Sequence, residues 1–146
     1  MREAARSDFP HFLTIATRWA DNDAYRHVNN VVYYSWFDTA VNEFLIRRGV
    51  LDIERDEAVG LVVDTGCSYF SSVTFPDVVH VGLRVAKLGN SSVRYELAIF
   101  RNDDARPAAA GHFVHVYVDR ASNRPVPVPD HVRAMLATIS AGSNTQ

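Results

Sequence analysis

The chain has 146 residues, 47% of them hydrophobic and 22% charged, with a formal net charge of −2. That suits one globular domain with a core that needs no staples. It argues against a basic protein that coats nucleic acid, so an anionic ligand has to be met by local charges.

Met1 to Asp8 is polar and carries no apolar leader segment, so this end is expected to be mobile and not a secretory signal. Phe12 to Trp19, with its β-branched and aromatic residues, predicts a strand. Ala20 to Asn30 is a polar loop. Val31 to Arg48 has helical length, and Tyr33, Phe37, Ala40/Val41 and Phe44 recur at three and four. Asn29 or Asn30 can cap its start and Gly49 can end it. Val32, Tyr34, Trp36, Leu45 and Ile46 widen the apolar stripe, so the helix is expected to be largely buried.

The remainder predicts strands joined by tight turns. In Val59 to Phe70, strict alternation puts Val59, Leu61, Val63, Thr65, Cys67 and Tyr69 on one face. Phe75-Pro76-Asp77 signals a turn. Val79 to Lys87 predicts the next strand, Gly89-Asn90-Ser91 a turn, and Val93 to Ile99 a further strand. After another turn at Asn102 to Pro107, Phe113, His115 and Tyr117 oppose Val114, Val116 and Val118. Three prolines precede a short terminal helix at Asp130 to Ile139, and Ser140 to Gln146 is expected to be mobile. The ordered core is therefore about 9–140 of a single domain, without repeats or linkers. Short connections make the strands antiparallel neighbours, giving an α+β domain with one long helix against a curved sheet. Cys67 is the lone cysteine, which fits a reducing, cytoplasmic setting and reads as packing. No apolar run approaches the roughly 18 residues of a membrane span.

The chemistry concentrates between Arg18 and Tyr34. Asp21, Asp23 and His27 lie in the loop that feeds a helix N-terminus, where backbone N–H groups are unpaired and carry a partial positive charge. Amides there can hold an oxyanion, and a carboxylate just upstream can stand beside the same carbonyl carbon. That is an arrangement for acyl transfer. Taken alone, Asp21 reads as a loop cap, His27 as a structural residue, and Asn29 and Asn30 as caps whose backbone does the chemistry. Asp64, inside a strand pattern, needs a partner, at an interface or at a pocket mouth.

The stretch Asp21-Asn22-Asp23-Ala24-Tyr25-Arg26-His27-Val28-Asn29-Asn30 closely resembles the Asp-x-Asp-x-x-Gly-His-Val-Asn-Asn motif of the 4-hydroxybenzoyl-CoA thioesterase-like branch of the hotdog superfamily. Tyr33-Tyr34-Ser35-Trp36-Phe37-Asp38-Thr39-Ala40 continues the match, and Tyr69-Phe70, Leu88 to Ser92 and Arg124 to Pro127 extend it along nearly the whole chain. The resemblance implies a hotdog fold, with one long central helix wrapped by a five-stranded antiparallel sheet. It implies an acyl-CoA thioesterase in which Asp23 is the catalytic carboxylate, as nucleophile or as general base. The backbone N–H of Asn30, with that of Asn29 beside it, would hold the oxyanion, and His27 and Asp38 would support the site. Arg26 stands where the family has Gly; it removes backbone freedom, adds a cation near Asp23 and can reach a CoA phosphate. Tyr33 would line the acyl pocket, and Lys87, Ser91, Ser92 and Arg94 flank a turn that can meet CoA phosphates. CoA arrives as part of the substrate, so no cofactor and no metal is expected. The implied assembly is a homodimer joined edge to edge, with tetramers common in the family; no nucleic-acid or membrane partner is expected. Two alternatives stay open: a non-catalytic acyl-CoA binder, and a thioesterase acting on acyl carrier protein.

Overall fold

The computed structural model describes residues 1–140. Strand β1 (His11–Ala16) is followed by helix α1 (Asn30–Arg47), strands β2 (Ala58–Tyr69), β3 (Val78–Leu88), β4 (Ser92–Arg101) and β5 (Ala109–Asp119), and helix α2 (Asp130–Ala137). This is the expected α+β arrangement. The strands form one five-stranded antiparallel sheet in the order β1-β3-β4-β5-β2.

Helix α1 forms where the apolar spacing places it. The Asn29 side chain accepts from Val31 N at 3.0 Å and caps its start. At its end Gly49 takes φ +73°, a conformation glycine adopts without a Cβ penalty, and Val50 N closes back on Leu45 O at 3.0 Å. Tyr33, Trp36, Phe37, Ala40, Val41, Phe44 and Leu45 face the sheet and are buried. Removing Phe37 or Phe44, both fully buried, from water contributes about 1.5–3 kcal/mol each. Phe37 seats against a strand residue that has to be glycine: a Cβ on Gly111 would lie 2.7 Å from Phe37 Cε2 and 2.1 Å from Gly66 O. The far side of α1 is bare, with Val31 66% and Ile46 49% exposed.

Three expectations change. β1 ends at Ala16, short of Trp19, because Thr17 leaves the ladder to bond Asp77 O through both its N–H and its hydroxyl, and Trp19–Asp21 turns as a short 3-10 helix. In β2 the pairing with β5 shifts between Val62 and Asp64. This bulge inverts the alternation, so Val59 and Leu61 lie on the face opposite Thr65, Cys67 and Tyr69. The inner face instead carries Gly60, Val62, Thr65, Cys67 and Tyr69, whose partners on β5 are Tyr117, His115, Phe113, Gly111 and Ala109. Asp64 points outward, where its Oδ2 meets His112 Nε2 at 2.9 Å. Finally, the N-terminal segment does not hang free. Phe9 packs with Ala98, Phe100 and Ala110 on the outer face of the sheet, and the Arg6 side chain bonds Asn102 O and Asp104 O. Of the C-terminal stretch expected to be mobile, residues 141–146 lie outside the described ones.

β1 and β2 are the edges of the sheet. β2 is long and apolar, and Leu61, Val62 and Val63 are 45%, 46% and 60% exposed. No helix among the described residues is long and apolar enough to cross a membrane.

Candidate active site

The loop before α1 is shaped by bonds between its own residues. Asp21 is 2% exposed. Its carboxylate accepts from Arg18 N at 2.7 Å and from Arg18 Nη2 at 2.7 Å, which closes the 3-10 turn and holds the Arg18 pKa up. Its carbonyl accepts from Asn29 N at 2.9 Å. Asp23 N donates to His27 O at 2.8 Å and Asp23 Oδ1 accepts from Tyr25 N at 2.8 Å, making a tight Asx turn. Within this turn Arg26 takes φ +65°, so the backbone keeps a shape suited to glycine although the residue is arginine. Thr74 Oγ1 donates to Arg26 O at 2.5 Å, Asn22 Oδ1 accepts from Phe75 N at 3.1 Å, and Val28 N donates to Val73 O at 2.7 Å. The segment between β2 and β3 thus pins the loop.

Between loop, helix start and segment lies a cavity of about 370 Å³ lined by Asp23, His27, Asn30, Tyr33, Tyr69 and Ser72, among others. The structure therefore brings together Asp23, His27, Asn30 and Tyr33, as read from sequence. Both hydrogen bonds to the Asp23 carboxylate fall on Oδ1, so Oδ2 receives none among the described residues. The amides at the helix start divide clearly. Asn29 N is taken by Asp21 O, Val31 N by Asn29 Oδ1, and Val32 N by Asn29 O. Asn30 N has no acceptor among the described residues, and as the first helical amide it has none within the helix. Asn29 is thus corrected from oxyanion donor to cap, and Asn30 alone offers the open N–H. His27 holds the loop through its backbone carbonyl and is among the residues that line the cavity.

The other expected residues lie elsewhere. Asp38 sits two turns along α1 on its exposed side, where Asn42 Nδ2 donates to its carboxylate at 3.1 Å; within one chain it does not support the Asp23 cavity. Lys87, Ser91 and Ser92 lie at the far end of β3, whose ten steps from Val78 to Leu88 span about 33 Å. Arg94 is on the outer face of the sheet, beside Ser68, Phe70 and His112.

Tyr69 completes the cavity and was not singled out by sequence. Its hydroxyl donates to Asn30 O at 3.1 Å, and its ring meets Tyr33 edge-on at 5.0 Å. From sequence Tyr69-Phe70 reads as a strand ending; only the antiparallel sheet carries that ending back to the helix start. Burial pushes the Tyr33 hydroxyl up to about 12 and takes the Tyr69 hydroxyl above the ordinary phenol range, so both stay protonated and can donate. Burial likewise raises the Cys67 thiol, which keeps it a poor nucleophile.

A model of the thioesterase-like superfamily matches residues 17–136. The chain belongs to that superfamily. Its sheet-wrapped helix is the hotdog fold. Among solved structures it resembles the PA5185 protein of Pseudomonas aeruginosa strain PAO1 at 55% identity and a TM-score of 0.90, over 93% of this chain and 95% of that one. A thioesterase of Thermus thermophilus, crystallised with coenzyme A and Zn, is 30% identical with a TM-score of 0.76, over 90% of this chain and 95% of that one. The protein YsmA of Bacillus subtilis (strain 168) is 21% identical over 90% of this chain and 88% of its own. Superfamily membership and such neighbours support thioester hydrolysis as the chain's activity. Among the described residues no group of three or more His, Cys, Asp or Glu could hold a metal ion.

Proposed function

We propose that this hotdog protein is a cytoplasmic acyl-CoA thioesterase, acting as a homodimer with Asp23 as its catalytic carboxylate. The observation that carries this reading is one cavity bordered by Asp23, whose Oδ2 receives no hydrogen bond from the described residues, and by Asn30, whose amide has no acceptor among them. A thioester carbonyl oxygen accepting from Asn30 N is polarised by that N–H and by the helix dipole. Asp23 then attacks the carbonyl carbon, the C–S bond breaks, and CoA leaves as thiolate; water hydrolyses the resulting anhydride. Alternatively Asp23 takes the proton of a water that attacks directly, and passes it on to the leaving sulfur. The Thermus relative with bound coenzyme A supports CoA as the carrier. Arg26, exposed and next in sequence to the cavity-lining His27, enters no ion pair among the described residues and can meet a phosphate.

The dimer reading rests on β2, whose unpaired edge and exposed Leu61, Val62 and Val63 call for a second strand. Analytical sedimentation at micromolar concentration is expected to give a dimer or larger; a stable monomer contradicts the assembly. The activity is tested by a hydrolysis screen across short, long, branched and aryl acyl-CoAs with free thiol as readout. Thiol release from at least one class, lost in Asp23→Asn, is expected. Tight binding of several acyl-CoAs without release would turn the reading to a non-catalytic binder. Release from acyl carrier protein alone would replace the carrier and keep the chemistry.

A further inference from the structure

The outer face of the sheet carries another cavity. Phe9 and Arg6 anchor the N-terminal segment there, and at its start Arg2 lies with its Cζ 4.7 Å from the centre of the Phe70 ring. Between this segment and the strands is a space of about 380 Å³ lined by Arg2, Ser68, Phe70, Arg94, Glu96 and His112, among others. Most of its polar groups already have partners. Glu96 Oε1 accepts from Arg84 Nε at 2.9 Å and from Arg84 Nη2 at 2.8 Å, so this carboxylate is neutralised. Asp64 Oδ2 meets His112 Nε2 at 2.9 Å and fixes the ring. The ring has room because residue 66 is glycine: a Cβ there would lie 2.8 Å from His112 Cε1. Arg2 and Arg94 are different. Neither meets a carboxylate at ion-pair distance among the described residues. Their guanidiniums border one cavity without a counter-charge, in a chain whose formal net charge is −2. Like charges repel, and an anion between them removes that cost.

This cavity adjoins the one at Asp23. Phe70 lines both. A further hollow of about 410 Å³ bridges them, sharing Phe70 and Ser71 with the Asp23 cavity and Arg2 and Phe70 with the outer one. The way round the end of β2 is short. Tyr69, on the Asp23 cavity, and Gly66, beneath His112, are three residues apart, about 10 Å at the strand rise. A second subunit on the β2 edge leaves this route open. Edge pairing uses backbone groups in the plane of the sheet, whereas Arg2, Arg94 and His112 stand on its outer face, on the N-terminal segment, β4 and β5.

We propose that this outer cavity seats phosphate groups of the CoA carrier, with the pantetheine arm passing around Phe70 from the thioester at Asp23. The inference rests on the thioesterase reading and names where the nucleotide end of its substrate is held. Arginine forks match phosphate oxygens, and Ser68 and His112 add a hydroxyl and an imidazole beside them. CoA bears a diphosphate and a separate 3′-phosphate, so a phosphate at Arg26 and a seat here are compatible.

The test measures Kd for CoA, 3′,5′-ADP and pantetheine, and KM for an acyl-CoA against the same acyl group on pantetheine. The parent is expected to bind CoA more tightly than pantetheine. Arg2→Ala and Arg94→Ala should each weaken CoA by about tenfold, the effect of losing one charge-assisted hydrogen bond, and bring the ratio of CoA to pantetheine toward one. Arg94→Lys should keep part of it. Added salt should weaken CoA more in the parent than in the variants. Should Arg94→Ala not fold, Arg2→Ala, on an exposed segment, carries the comparison. Equal Kd for CoA and pantetheine in the parent overturns the inference. So does a parent-like ratio in both variants, with or without a lowered melting temperature, the mark of arginines that are only structural or solvated. A ratio lost in Lys87→Ala and kept in Arg94→Ala puts the phosphates at the turn between β3 and β4 and overturns it too. Weakened 3′,5′-ADP binding with KM unchanged marks an anion seat apart from the substrate, which overturns the assignment to CoA. Weakened CoA binding in the variants of a parent that releases no thiol from any acyl-CoA upholds the seat while failing the thioesterase reading.

Discussion

The two ends of the sheet are built from the same kinds of residue and differ in what their hydrogen bonds leave over. At the end near the start of α1, Asp21, Asn22, Asn29 and Thr74 hold the loop, and Asp23 Oδ2 and Asn30 N remain open toward one cavity. At the other end the turn between β3 and β4 carries Lys87, Ser91 and Ser92, but its carbonyls are taken. Asn90 O accepts from Val128 N at 2.8 Å, Ser91 O from Tyr117 N at 2.8 Å, and Gly89 O from Arg133 Nη2 at 2.8 Å. That turn anchors the approach to α2. The lesson is that polar residue types mark both regions, whereas only the groups left unbonded once the fold has closed its own bonds mark chemistry.

The sharpest way to break this comparison is at Asp23. Asp23→Asn should fold with the parent's melting temperature and lose about 10²–10⁴-fold in kcat, the usual effect of removing a positioned base; near-parental turnover would falsify the assignment. Asp21→Ala should do the reverse. Losing buried bonds to a charged acceptor is expected to lower stability by about 1.5–3 kcal/mol, read by denaturant melts, with kcat largely kept where the protein is folded. A large kcat loss at unchanged stability would exchange the roles of the two carboxylates.

Smaller effects sharpen it. Arg26→Gly relieves a left-handed backbone worth about 1–2 kcal/mol and adds about 0.5–1 kcal/mol of chain entropy cost, so stability should rise slightly or stay level. KM for acyl-CoA should rise with kcat little changed, as for uniform binding of a phosphate. Elimination of turnover at constant KM would show that Arg26 acts on the chemistry instead. Lys87→Ala, at the far end and exposed, should move stability by no more than about 0.5 kcal/mol; a measurable rise in KM would show that the turn reaches CoA in the assembled protein.

A pH series reads buried rings at both ends. Burial lowers the pKa of His115 and of half-buried His11, so the unfolded state binds more protons as pH falls below the ordinary 6.5 and stability is lost there. Tyr33 and Tyr117 are raised to about 12, so their contribution is complete below pH 10 and is lost as pH rises toward 12. Melting temperature against pH should therefore fall on both sides, and His115→Phe should flatten the acid limb; an unchanged limb would assign it to the carboxylates.

Local rules determined much of this protein from sequence alone. The period of three and four set α1, Asn29 and Gly49 set its ends, and alternation set four strands, because caps and periodicity depend on neighbours along the chain. The motif around Asp23 was legible for the same reason: its Asx turn and helix start are contiguous. What needed the tertiary structure was every result of pairing between distant segments. The bulge at Val63, which inverts β2, depends on how β5 lies beside it. The loss of Asn29 N to Asp21 O depends on how the loop folds back. The return of Tyr69 to Asn30, and the unpaired His115 and Tyr95, depend on which strands become neighbours. Side-chain chemistry travels with the sequence, but whether a donor or acceptor is left free is known only when all its competitors have been placed.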